Sequence, residues 1–306
     1  MNFFASLLNS LPSASAQGMI WGIMAIGVYL TYRILDVADL TVDGSLATGA
    51  AVCVMLIKGG MDTGLAMVCA FMAGMLAGAV TGLFHTRCRI PAILSGILTQ
   101  LMLYSINLRI MSNKANTPIS VDKYPLLVSS RYVRVVGWNN PLIVLALFVA
   151  LLIVALYWFF GTERGCSIRA TGANRHMAQA QGINTDVNVV LGLMLSNGLV
   201  ALSGALLGQY SGSADVNMGR GAIVIGLAAV IIGEVLLDKL FRAFALKLLA
   251  VIIGAILYYL VLQAVLLLGL NSNDLKLMTA LVVAIFLTVP NLKGHLLKPR
   301  AKGKEA

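Results

Sequence analysis

Long apolar runs, parted by short polar connections, set the organisation of this 306-residue chain. A bilayer span needs about 20 mostly apolar residues, and the pattern predicts nine: 18–35, 40–57, 64–84, 90–110, 141–160, 186–209, 221–237, 244–268 and 275–290. The second carries the weakest signal, because Asp43, Gly44, Ser45, Thr48 and Gly49 crowd its first half. Ahead of the first, Phe3, Phe4, Leu7, Leu8 and Leu11 recur at helical spacing and predict a short helix on the membrane surface. Ala14-Ser15-Ala16 imitates a secretory cleavage site, but no positive charge precedes it, and Asn9 and Ser10 break the apolar run.

Composition turns these runs into membrane spans. With 59% hydrophobic and 11% charged residues, the chain has too little polar surface to coat a soluble globule of this length. The fold class that follows is an all-α polytopic membrane protein of about eight to ten transmembrane helices. It divides into an interfacial segment over 1–17, a transmembrane domain over 18–291 and a basic cytoplasmic tail over 292–306. The net charge of +10 does not point to nucleic acid, since no nucleic-acid-binding motif accompanies it. Its lysines and arginines gather in the connections 85–89, 161–185 and 238–247 and in the tail, and counting spans puts all four on one side. The positive-inside rule makes that side cytoplasmic. The connection 111–140 then lies outside, although it carries Lys114, Lys123, Arg131 and Arg134.

Few residues suit chemistry. There is no nucleophile elbow, zinc-protease helix, dinucleotide fingerprint or phosphate-binding loop, and the four cysteines and three histidines lack metal-ligand spacing. No catalytic or metal site is therefore expected. Gly74, Gly78 and Gly82, and Gly204, Gly208 and Gly212, form small-residue stripes of the kind that let helices approach closely. Two acids approach membrane depth. Glu234 sits near a span end beside Asp238, Lys239 and Arg242, as an interfacial ion pair would. Asp43 opens the weakest span, either capping its helix or introducing a broken one. An echo links Ala38-Asp39 and Gly44 to Gly49 with Ala214-Asp215 and Gly221 to Gly226, at positions where repeat-built transporters carry interrupted helices. Candidate substrate-path residues are Asp43, Ser45, Ser95, Thr99, Gln100, Asn107, Ser196, Asn197 and Ser203, although polar residues within spans also serve as interhelical glue.

One passage, 165–183, is polar yet flanked by apolar walls, and suits either a solvated loop or a short helix docking into a partner's groove. Thr162 to Gly165, Ile168-Arg169-Ala170-Thr171-Gly172-Ala173-Asn174, Ala178, Ala180, Gly182 and Ile183 resemble the T-x-x-G-x-x-x-x-A-x-G-x-N-x-x-A-A-x-x-x-G-I pattern of ABC-importer permeases of the ribose and branched-chain amino acid family. Asp39 to Ser45 is similar to that family's D-L-S-V-G-S-type opening, and Ala228-Ala229-Val230-Ile231-Ile232-Gly233-Glu234 to its A-A-V-x-x-G-G pattern. Asp43 as an insertion and Glu234 in place of a glycine mark a divergent branch.

The resemblance implies a type II ABC-importer-like bundle with a cytoplasmic coupling helix, in a bacterial cytoplasmic membrane. Arg169, Gly172, Ala173, Asn174, Arg175, Ala178, Gln179 and Gly182 would then meet a separate ATPase. ATP and magnesium would be bound on that partner, with no cofactor on this chain. A periplasmic or lipoprotein substrate-binding protein would dock around 114–138 and 211–218, and a second permease copy would complete the pore as a homodimer. The cargo implied is a small solute, an amino acid and, more narrowly, an aromatic one. The alternative is an ion-coupled secondary transporter, for which the chain offers few buried ionisable groups.

Overall fold

The computed structural model describes residues 3–121, 123–132, 140–237 and 243–267, with six positions between 277 and 288. Ten α-helices occur among them: α1 (Phe3–Tyr29), α2 (Val42–Lys58), α3 (Thr63–Thr86), α4 (Ala92–Ile110), α5 (Pro141–Gly161), α6 (Glu163–Ala173), α7 (Arg175–Ala180), α8 (Thr185–Ser211), α9 (Ala222–Leu237) and α10 (Phe244–Leu267). A π-helical turn, Leu30–Ile34, extends α1. Side chains set the boundaries in the expected way. Asp62, Asn140 and Asn184 cap α3, α5 and α8 by accepting from Gly64 N, Leu142 N and Val187 N. Gly212, at φ 71°, ends α8 in the left-handed conformation that a glycine adopts without penalty. It is therefore a C-cap and not the third member of a packing stripe.

Six helices among the described residues are long and apolar enough to cross a membrane, and the chain is an all-α polytopic membrane protein. The surface helix expected over 1–17 does not stand apart. The helix runs unbroken from Phe3, the apolar stretch begins at Ser10, Ala14 and Ala16 are buried, and Ser13 Oγ lies 3.1 Å from Tyr210 Oη. Small residues at this end let α10 approach closely, with Ile256 beside Gly18. Most of the ninth expected span, 275–290, and the whole tail, 292–306, lie outside the described residues.

Helix α8 is the axis of the bundle. Helix α1 runs antiparallel to it, with Ser203 Oγ donating to Ile20 O at 2.7 Å and Ser196 Oγ to Gly27 O at 2.8 Å. Helix α3 is antiparallel too. A Cβ on Gly74 or Gly78 would strike the carbonyls of Asn197 and Leu193, so this stripe is a true contact seam. Helix α2 runs parallel to α8, with Ser45 bonded to Asn197 and Cys53 to Gln209, and Gly49 and Gly204 let the two backbones close up against Ala201 and Leu46. Helix α10 lies across α1 and α9, where Gly233 faces Ala250 and Gly254 faces Ala229.

Two helices are short because they begin inside the bundle. After α1 the chain turns back as the non-helical stretch 35–41, and Leu35 packs on Gly192 before α2 begins level with Asn197, the midpoint of α8. Helix α9 begins beside the start of α2 and runs the opposite way. Their lengths of 17 and 16 residues give roughly 25 Å each, short of the roughly 30 Å hydrocarbon core. At the far end of α8, strands β1 (Asn116–Pro118) and β2 (Ser213–Asp215) pair antiparallel, with Thr117 opposite Ala214.

Gly204→Val would push two methyl groups into the Leu46 carbonyl. Such overpacking costs about 1–3 kcal/mol or more, so the variant should lose monodisperse protein in size-exclusion chromatography. Gly161→Ala meets nothing within 4 Å and should elute as the parent does.

Candidate functional site

Two polar features interrupt the apolar bundle. The first is the excursion between α5 and α8. It forms two helices instead of the single one expected, because Asn174 leaves helical geometry at φ −158°, ψ 103° and turns its side chain to cap α7, accepting from Met177 N at 3.0 Å. Thr162 caps α6 by accepting from Gly165 N. Helix α6 is fastened to the bundle: Gly172 packs on the carbonyl of Ile34, and buried Asn188 donates to Thr171 Oγ1 at 2.9 Å and Ser167 Oγ at 3.2 Å.

Helix α7 is fastened more lightly, through Ala178, which is buried. Gln179 donates to Thr185 Oγ1 at 2.9 Å, and Arg175 pairs with Asp186 at 2.6 Å. Of the eight residues expected to face a partner, Ala173, Asn174 and Gly182 are exposed with no side chain reaching back beyond the local cap. Arg175 and Gln179 are exposed but bonded within the chain. The Arg169 guanidinium lies 5.6 Å from the Phe244 ring centre, and Gly172 and Ala178 face the bundle. Sequence reasoning missed Met177, a large apolar side chain on α7 that is 64% exposed.

The second feature is a buried polar seam where α2 and α9 begin. Asp39, 3% exposed, accepts from Thr41 N at 2.8 Å through one carboxylate oxygen and from Asn197 Nδ2 at 2.7 Å through the other. Asn197 also accepts from Ser45 Oγ at 2.6 Å and donates to Leu193 O at 3.0 Å, which engages both hydrogens of its amide along this seam. Thr41 Oγ1 meets Thr81 Oγ1 at 2.8 Å. Asp43 does not cap its own helix. Its carboxylate accepts from Gly221 N at 2.9 Å and Ile223 N at 3.1 Å, so it caps α9 across the chain.

Most of the substrate-path candidates are thus committed to helix contacts. Ser45 and Asn197 belong to the seam, Ser196 and Ser203 tie α8 to α1, and Ser95 and Thr99 bond within α4 to Ala92 O and Ser95 O. Two are different. Asn107 is 1% exposed with neither side-chain atom hydrogen-bonded, and Gln100 is half-buried beside Gly44. Glu234 does form an ion pair, with Arg33 at 2.8 Å, while Asp238, Lys239 and Arg242 lie outside the described residues. The two external segments expected to receive a binding protein are brought together as β1 and β2.

A family model for the branched-chain amino acid transport system permease component matches residues 11–288. The chain belongs to this family of ABC-importer permeases. Among the relatives of this permease is the "Tyrosine transport system permease protein" of Clostridioides difficile (strain R20291), 39% identical over 295 residues and covering 96% of each chain. "Uncharacterized protein RP368" of Rickettsia prowazekii (strain Madrid E) is 35% identical over 92% of this chain and 98% of its own. The "Autoinducer 2 import system permease protein LsrC" of Yersinia pestis (strain Pestoides F) is 28% identical over 76% of this chain and 64% of its own.

In this permease the seam can be tested directly. Asp39→Ala leaves Asn197 Nδ2 and Thr41 N without their buried acceptor and should cost about 3 kcal/mol, read as a lowered unfolding midpoint in detergent. Asp39→Asn should cost less, because its amide oxygen can still accept from Thr41 N.

Proposed function

We propose that the chain is the pore-forming subunit of an ATP-driven importer, and that α6 and α7 are the lever through which a separate cytoplasmic ATPase moves it. The observation that carries this reading is the excursion itself: two short capped helices, held to α8 by Asn188 and Thr185, with an exposed methionine on α7. A lever must be fixed to the moving body and free on its outer face, and α6 and α7 divide in this way. Coupling is limited to the difference in binding free energy that the partner makes with the two states of the pore. An apolar knob seated in a groove in one state and withdrawn in the other supplies such a difference.

ATP and magnesium belong to the ATPase on this reading, and the membrane is a bacterial inner membrane. A soluble binding protein delivers cargo at the β1–β2 end, and a second copy of the chain completes the pore. The proposed cargo is an amino acid of the aromatic class. Its support is the likeness, over nearly the whole length, to a relative named for tyrosine transport.

Charge reversal at Arg175 would also break its pair with Asp186, so Met177 is the cleaner position to probe. Met177→Glu in the assembled transporter should lower uptake of labelled tyrosine at least tenfold and lose the co-purifying ATPase, with the bundle still monodisperse. Parental uptake and ATPase recovery in that variant would refute the lever. Parental coupling with no tyrosine uptake would leave the lever standing and remove the aromatic cargo.

A further inference from the structure

Arg220 stands at a depth where a membrane bundle rarely leaves a charge. Helix α8 is 27 residues long, so Asn197 lies roughly 20 Å from either of its ends. The Ser45–Asn197 bond holds the first turn of α2 at that level, and the α8–α9 connection is held against the same turn: Gly219 packs on the Asp43 carbonyl, and Gly221 N donates to the Asp43 carboxylate at 2.9 Å. Arg220 sits between those two contacts, and it is exposed. Among the described residues it makes no ion pair and no side-chain hydrogen bond. Asp43, the acid at this level, gives one carboxylate oxygen to Gly221 N and the other to Ile223 N, and neither to the guanidinium. A guanidinium facing hydrocarbon at this depth costs about 3 kcal/mol or more. One facing a water-filled path does not.

The groups around it also suit a path. Gly44, next to Asp43 in that first turn, packs on the backbone of Gln100 of α4. Gln100 and Asn107 are seven residues apart and share one face of α4. Neither has a side-chain hydrogen bond among the described residues. Asn217, on the same connection as Arg220, is exposed as well. Helix α4 is as little buried as α5 yet far less apolar, the composition of a span that does not face lipid all round. A cation among uncharged hydrogen-bonding groups selects an anion, and the planar guanidinium matches a carboxylate, which it can hold through two parallel bonds. We propose that Arg220 binds the carboxylate of the cargo midway through the bilayer, with Gln100 and Asn107 facing the same path, a role that rests on the importer reading above.

The test has two arms, both on the assembled transporter. In the first, Arg220→Gln should lower uptake of labelled tyrosine about tenfold or more, with the ATPase still co-purifying and the complex monodisperse. Arg220→Lys, which keeps the charge, guards against misfolding and should retain at least a third of the uptake. The second arm does not depend on the cargo. With the four native cysteines replaced by alanine, Asn217→Cys is treated with an anionic or a cationic methanethiosulfonate reagent, and each rate is divided by that of a free thiol in solution. The anionic reagent should be favoured about tenfold, and adding Arg220→Gln should abolish the preference. Parental uptake by Arg220→Gln overturns the proposal. So does failure of position 217 to react with either reagent, or a preference that Arg220→Gln leaves unchanged. Absence of tyrosine uptake in the parent itself would count against the aromatic cargo and not against the anion site, which the reagent preference then supports or overturns.

Discussion

A carboxylate at the centre of a membrane bundle needs hydrogen-bond donors, and Asp39 obtains them from Asn197 on the midpoint of α8 and from the backbone of Thr41. An unpaired charge there would be far more costly than the bonds that replace water are favourable, so the two groups must meet. That requirement draws the non-helical stretch 35–41 into the bundle and fixes where α2 starts. Irregular backbone at this depth is tolerated because its polar groups are met inside the protein: Leu35 N and Val37 N donate to Leu30 O and Thr31 O, and Thr41 N donates to Asp39.

The second half-helix depends on the first. With α2 held in place, Asp43 presents its carboxylate to the open amides at the start of α9. Two helices of opposite direction thus begin at one level and diverge, α2 toward the β1–β2 end and α9 toward the end that carries α6. Around this junction, glycines on α3, α8 and α10 bring backbones together. The α6–α7 excursion joins this body through Gly172, which packs on the end of α1, and through Asn188 of α8.

Much of this was legible in the sequence where the signal is local. The cores of α3, α4, α5, α8 and α10 fall within or beside the predicted spans, because roughly 20 apolar residues have few other uses. The glycine stripe on α3 was legible for the same reason, whereas Gly212 was misplaced because a cap and a stripe share one spacing. The seam was harder to read. Asp39 stands 158 residues from its partner Asn197, and Asp43 178 residues from Gly221, distances that no periodicity spans. One trace remained: Asp39 accepts from the amide two residues on, and Asp215 does the same with Asn217 at 2.6 Å, so the Ala-Asp echo records a turn used twice. The division of α6 from α7 lay in Asn174, a strong capping residue that a single-helix reading passes over.

The most direct measurement is a double-mutant cycle between Asp39 and Asn197, using alanine at each position and unfolding free energies in mixed micelles. A seam that organises the bundle predicts a coupling of about 1–3 kcal/mol, with the second substitution costing much less once the first is present. Costs that add to within about 0.5 kcal/mol would mean that the two side chains act independently, and the contact could not be what sets the start of α2.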